Sequence, residues 1–137
     1  MTLITDSIEI KAPFFDVDSC EVVWHGHYVK YFEQARCQLL DKVGYNYQAM
    51  RDDGYFFPVV DMKIKFVAPL IFAQVFIVNT TLVEWENRLK VKYEIVDKVS
   101  GSKITKGYTI QVAVEVDTRQ MQFESPSRLI QMVEAMR

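Results

Sequence analysis

The sequence predicts an α+β fold in which an antiparallel sheet carries one long helix. Three observations predict it. A single long stretch, residues 28–43, has helical periodicity; strand chemistry takes over after Pro58 and persists until Pro126; and the strand segments are joined by turns too short for helical crossovers, which favours antiparallel pairing.

Taken in order, "LITDSIEIKAPFF" alternates enough to form a first strand ending near Pro13. From Tyr28 the period changes. Val29, Phe32, Ala35 or Arg36, Leu39, Leu40 and Val43 recur at three- and four-residue steps, and Gly44 follows as a stop. "NYQAMRDDG" reads as a second, short helix with Asn46 as its cap and Gly54 at its end. "VVDMKIKFV" places Met62, Ile64 and Phe66 on one face and Lys63 and Lys65 on the other. "QVFIVNTTLVEWEN" is a long β-branched run. "RLKVKYEIVDK" points Leu89, Val91, Tyr93 and Ile95 inward and Lys90, Lys92 and Glu94 outward. "SGSK" supplies a turn, and "ITKGYTIQVAVEVD" reads as one further long strand with Ile110, Val112, Val114 and Val116 on a shared face. A short strand "MQFES" and a C-terminal amphipathic helix opened by Pro126 complete the chain.

At 137 residues the chain is long enough for one domain with a sizeable core, and no repeat or Pro/Gly/Ser-rich linker divides it. Half the residues are hydrophobic and the formal charge is −2, which gives no electrostatic ground for nucleic-acid binding. Lys63, Lys65, Arg88, Lys90 and Lys92 make a mild local basic bias that reads as solvated strand faces. The N-terminal residues lack the marks of a signal peptide, and apolar runs such as "VFIV" fall far short of the roughly 20 residues that span a bilayer. Cys20 and Cys37 form neither a C-x-x-C pair nor a disulfide framework. They read as reduced thiols of a cytoplasmic protein, with Cys37 a small apolar filler in the helix.

Chemistry-bearing residues concentrate in "FFDVDSCEVVWHGHYVKYFEQARCQLL", residues 14–40, which holds four acids, both histidines and both cysteines. The "HGH" spacing suggests a metal pair, but with no further histidine and no cysteine cluster the set is incomplete, and no metal is expected. Taken alone, Asp18 fits a turn or capping aspartate ahead of a helix.

The stretch resembles the signature of the hotdog-fold acyl-CoA thioesterases of the 4-hydroxybenzoyl-CoA thioesterase type. The matching elements are Phe15, Asp16, Asp18, Val22-Val23-Trp24, Tyr28, Phe32 and Glu33. The resemblance implies a hotdog fold, in which the sheet wraps a long central helix. It also implies a homodimer joined sheet edge to sheet edge, often paired again as a homotetramer, with the active site at the dimer interface. The implied substrate is an acyl-CoA or acyl-carrier-protein thioester, with no cofactor.

Asp18 matches the family's catalytic aspartate. Thioester hydrolysis needs an attacking oxygen, from a carboxylate or from a water it deprotonates, and positive potential at the developing oxyanion. A helix beginning near residues 25–28 aims its free N–H groups at such a carbonyl. His25 is therefore a backbone donor and a possible orienting imidazole. Val23, Trp24 and Tyr28 would contact substrate, Glu33 would turn toward the partner chain's pocket, and Asp61 would stand at the pocket mouth. Asp16 is read as structural, holding the loop through backbone amides. His27 stands where relatives carry asparagine or a small polar residue, and Glu21 where they carry glycine. The glutamate implies an altered loop or a second negative charge beside Asp18. Two other readings stay open: a hotdog dehydratase or hydratase using His25 or His27 with Asp18 or Glu21, and a non-catalytic acyl-binding dimer.

Overall fold

The computed structural model describes residues 2–137. The chain folds as β1 (Ile4–Lys11), a one-turn 3₁₀ segment (Phe14–Asp16), α1 (His27–Val43), α2 (Tyr47–Asp52), β2 (Tyr55–Phe56), β3 (Val59–Phe66), β4 (Val75–Glu84), β5 (Leu89–Asp97), β6 (Lys103–Gln111), β7 (Val114–Glu115) and α3 (Ser127–Met136). Five strands form one fully antiparallel sheet in the order β1-β4-β5-β6-β3, and β2 pairs with β7 beside it.

Helix α1 lies against this sheet. Its buried residues are Tyr28, Tyr31, Phe32, Ala35, Leu39, Leu40 and Val43. The expected face is corrected at one end: Val29 is exposed, and Tyr28 and Tyr31 take its place. Residues 28, 31, 32, 35 and 39 follow the three- and four-residue steps of one stripe, which residue 29 leaves. Phe32 stacks on Tyr93 of β5, with ring centroids 4.2 Å apart and planes 5° from parallel. That approach needs Gly107 on β6, where an added Cβ would lie 2.2 Å from the Lys63 carbonyl oxygen and 3.0 Å from the Phe32 ring.

The terminal signals behave as their chemistry dictates. Gly44 takes φ 87° and its N–H bonds the Leu40 and Asp41 carbonyls, closing α1. Asn46 caps α2, its side chain accepting the Ala49 N–H at 3.0 Å. β5 buries Leu89, Val91, Tyr93 and Ile95 as its alternation requires. Cys37, expected as an apolar filler, is exposed on α1, and both thiols are free.

One expected strand is two. The run from residue 104 leaves the main sheet after Gln111, whose side-chain amide donates to the Phe57 carbonyl at 2.7 Å, and Val114–Glu115 then pair with Tyr55–Phe56. "MQFES" contributes only a bridge from Met121 to Val114.

The sheet has two edges, β1 and β3, and β3 is the open one. Seven of its eight residues are exposed, including Val59, Val60, Met62 and Phe66. An apolar strand with unpaired backbone groups is a template for pairing with another chain.

Candidate active site

The loop between β1 and α1 is built as a small stapled hairpin. Pro13 leads into the 3₁₀ turn, Val17 and Val23 bridge across the loop, and the Val23 N–H donates to the Leu70 carbonyl at 2.8 Å. At its tip the Asp18 carbonyl accepts the Glu21 N–H at 3.0 Å, and Asp18 Oδ1 accepts the Cys20 N–H at 2.8 Å. The turn places Glu21 at φ 65°, the left-handed region that favours glycine. Glutamate here holds a backbone conformation that glycine adopts without steric cost. Its exposed side chain lines a cleft with Phe14, Ile71 and Phe72 that meets the one Asp18 lines only at Val22.

Asp16 anchors the base of the hairpin. Its carboxylate is 1% exposed and accepts from Lys30 Nζ at 2.7 and 2.8 Å and from the Tyr31 hydroxyl at 2.6 Å, with His27 Nδ1 3.8 Å away. The expected bonds to backbone amides are replaced by these side-chain donors from the first turns of α1. Its carbonyl, in turn, takes the Trp24 N–H at 3.0 Å. Burial pushes the Asp16 carboxyl up, but the bonds from Lys30 and Tyr31 and the nearby positive charge outweigh it and hold it below the ordinary aspartate value. Burial first, then the bond to Asp16, push the Tyr31 phenol far up, so it stays a donor.

Helix α1 opens at His27, with Gly26 as its cap. The Trp24 ring lies over Gly26, where any Cβ would fall 2.2 Å from it, and sits 5.1 and 5.4 Å from the rings of His25 and His27. The backbone N–H groups of His25 and Gly26 have no acceptor among the described residues. They add to the positive end of the helix dipole, and no acid in the first turn neutralises it.

These pieces meet in a cleft of about 330 Å³. Asp18, Val23, His25 and Tyr28 line it, facing Phe66, Val67, Ala68 and Pro69 at the end of β3. The Tyr28 hydroxyl accepts the Leu70 N–H at 3.1 Å and fixes that wall. Asp18 Oδ1 is used by the turn, while Oδ2 has no hydrogen-bond partner among the described residues. A half-buried Asp18 and His25, whose backbone amide is bare at the helix mouth, thus line one concave site, an arrangement suited to attack on a polarised carbonyl.

Trp24, Glu33 and Asp61 lie outside the lining of this cleft, Glu33 having been expected at a partner chain's pocket rather than here. Trp24 covers Gly26 outside the cleft lining. Glu33 is exposed, 3.8 Å from Arg36, and lines a second cavity of about 630 Å³ with Leu40, Met50, Phe57 and Val59. Asp61 is exposed on β3, where its carboxylate accepts the Tyr108 hydroxyl at 3.3 Å. Sequence reasoning missed Phe66 and Val67, which read only as strand residues, and the Lys30–Tyr31 clamp on Asp16. Among the described residues no group of three His, Cys, Asp or Glu converges to hold a metal.

The family model described as the thioesterase-like superfamily matches residues 13–135. The chain belongs to that superfamily. This thioesterase-like chain is 29% identical over 85 residues to the candidate acyl-CoA thioesterase YneP of Bacillus subtilis, across 62% of this chain and 61% of that protein. It spans about three fifths of the length of the curated relatives it matches. Among solved structures, the DHNA-CoA thioesterase of Staphylococcus aureus is 28% identical with a TM-score of 0.78, covering 85% of this chain and 78% of that one. A 4-hydroxybenzoyl-CoA thioesterase mutant complexed with 4-hydroxybenzoyl-CoA superposes with a TM-score of 0.83 at 18% identity, over 95% and 99% of the two chains. The fold is the hotdog, as the loop signature implied.

Proposed function

We propose that this chain is an acyl thioesterase that hydrolyses an acyl-CoA thioester to the free acid and thiol. The observation that carries the reading is the cleft lined by Asp18, with one carboxylate oxygen free, and by His25, whose backbone N–H is bare beside that of Gly26. The names of the B. subtilis and S. aureus relatives support the substrate class.

The thioester carbonyl oxygen points at the two amides, which gain strength as negative charge develops there. Asp18 supplies the attacking oxygen, either its own or that of a water it deprotonates. A C–O bond forms at the carbonyl carbon, the C–S bond breaks, and the thiolate leaves to take up a proton. Direct attack passes through an acyl–aspartyl anhydride that a water then opens, so both routes consume one water and yield acid and thiol. Phe66, Val67 and Tyr28 wall the reacting carbon, and the His25 imidazole stands at the rim.

The open edge of β3 completes the site. The Asp18 cleft lies at the Phe66 end of the strand and the Glu33 cavity at its Val59 end. Antiparallel pairing of β3 with β3 of a second copy sets the Val59 end of one chain beside the Phe66 end of the other. The homodimer then presents each Asp18 cleft to the Glu33 cavity of its partner, which takes the acyl group. No helix among the described residues is long and apolar enough to cross a membrane, and the two free thiols agree with a reducing, cytoplasmic setting.

The test is Asp18→Asn, assayed for thiol release on a panel of acyl-CoA and acyl-carrier-protein thioesters. Loss of the attacking group lowers turnover by about 10²-fold or more, with an unchanged circular dichroism spectrum. A folded variant that turns over like the parent overturns the assignment.

A further inference from the structure

The sheet face opposite α1 concentrates positive charge on a chain whose net charge is −2. On β3, β6 and β5, Lys65 is in register with Lys106, while Lys63 and Lys92 flank Tyr108 on either side. Lys63, Lys65, Lys92 and Lys106 have no acidic partner within ion-pair distance among the described residues. Two acids share the face: Glu94, in register with Lys106 and 3.7 Å from Lys103, and Asp61, which accepts from Tyr108. Lys90 Nζ stands 4.6 Å from the centre of the Tyr108 ring. Lysines outnumber acids on this face, and lysines at strand spacing repel one another, which favours an anion that bridges them.

The position of this patch relative to the site gives it a ligand. The four lysines line a cleft of about 360 Å³. It shares Lys65 and Lys106 with an adjoining cleft of about 210 Å³, and that cleft shares Val67 with the one containing Asp18 and His25. The clefts therefore adjoin one another, from the one that Asp18 lines, past the end of the open strand, to the lysines. An extended molecule with a thioester at one end and phosphates at the other fits both ends of that series. These depressions match a small molecule rather than the flat platform a protein helix needs, and lysine is a point-charge phosphate binder.

We propose that Lys63, Lys65, Lys92 and Lys106 form the binding surface for the phosphate-bearing nucleotide end of coenzyme A. The inference rests on the thioesterase reading and names the carrier of its substrate: free coenzyme A, not a carrier protein.

The experiment is the triple variant Lys63→Glu/Lys92→Glu/Lys106→Glu, all three positions being exposed. Parent and variant are compared on one acyl group presented as its CoA thioester, as its N-acetylcysteamine thioester and on acyl carrier protein. For the CoA thioester KM rises about tenfold or more with kcat nearly unchanged, and the salt dependence of kcat/KM seen in the parent flattens. Hydrolysis of the N-acetylcysteamine thioester, which has no phosphates, stays at the parent level. An unchanged KM for the CoA thioester overturns the proposal, as does equal damage to the CoA and N-acetylcysteamine substrates. A loss confined to the carrier-protein substrate also overturns it and assigns the face to an acidic protein. If the parent hydrolyses none of the three, the thioesterase reading fails by itself. Calorimetry with free coenzyme A then still decides the lysine face, through tenfold weaker binding to the variant or no difference.

Discussion

Replacing Asp16 by Asn tests the foundation of the site. The parent carboxylate is fully buried and accepts three hydrogen bonds, two from Lys30 and one from Tyr31. A bond to a charged group contributes about 1.5–3 kcal/mol, and stripping a buried pair of one partner costs about 3–5 kcal/mol. Lys30 is 41% exposed and regains water when released, so its share is discounted, whereas the buried Tyr31 hydroxyl has no such recourse. The net loss for Asp16→Asn is about 2–4 kcal/mol at pH 7, or roughly 10 °C in melting temperature for a chain of this size. The sign with pH follows from the depressed carboxyl. Its stabilisation is complete above the unfolded aspartate value near 4 and fades as pH falls through the lower folded value. Urea titrations of parent and variant from pH 7 to pH 3 should therefore converge at the acid end. Tyr31→Phe should lose part of the same energy, and the double variant less than the sum. A gap below about 1 kcal/mol at pH 7, or one that stays constant down to pH 3, refutes the account.

Other outcomes follow from single contacts. Gly107→Ala drives a Cβ into the β3 backbone and the Phe32 ring and should destabilise by about 1–3 kcal/mol in denaturant titration, with the Phe32–Tyr93 stack disturbed in aromatic NMR shifts. Glu21→Gly relieves a left-handed backbone and should raise stability by up to about 1 kcal/mol in the same titration, while thiol release persists because the Glu21 side chain lines a different cleft from Asp18. Leu39→Ala, at a fully buried site on α1, should cost about 2–5 kcal/mol by thermal melting. The parent should sediment as a dimer, and Val60→Lys with Met62→Lys, on the open strand, should leave a folded monomer.

What the sequence revealed divides along physical lines. Local chemistry was legible: Gly44 needs no side chain to enter the left-handed region, Asn46 caps the turn after it, and the alternation of residues 89–95 follows from a strand with one buried face. The loop motif placed Asp18, Val23, His25 and Tyr28 together because they are neighbours along the chain. Long-range choices were not legible. Nothing in "ITKGYTIQVAVEVD" announces that Gln111 will seize the Phe57 carbonyl and break the strand, since its partner lies 54 residues away. Asp16 found Lys30 and Tyr31 across 14 and 15 residues, a distance at which no periodicity speaks. Glu33 and Asp61 lie outside the Asp18 cleft, set apart from it by the rise of α1 and by the course of β3.

If the clefts at opposite ends of the bare β3 strand meet across a dimer as proposed, catalysis becomes a shared property of two chains. In a dimer zipped along that strand, a copy crippled at Asp18 still lends its Glu33 cavity to a neighbour, and a copy crippled at the cavity still lends its carboxylate. Mixing two dead variants, one of each kind, would then rebuild one working centre in every heterodimer, so that activity reappears from two inactive preparations.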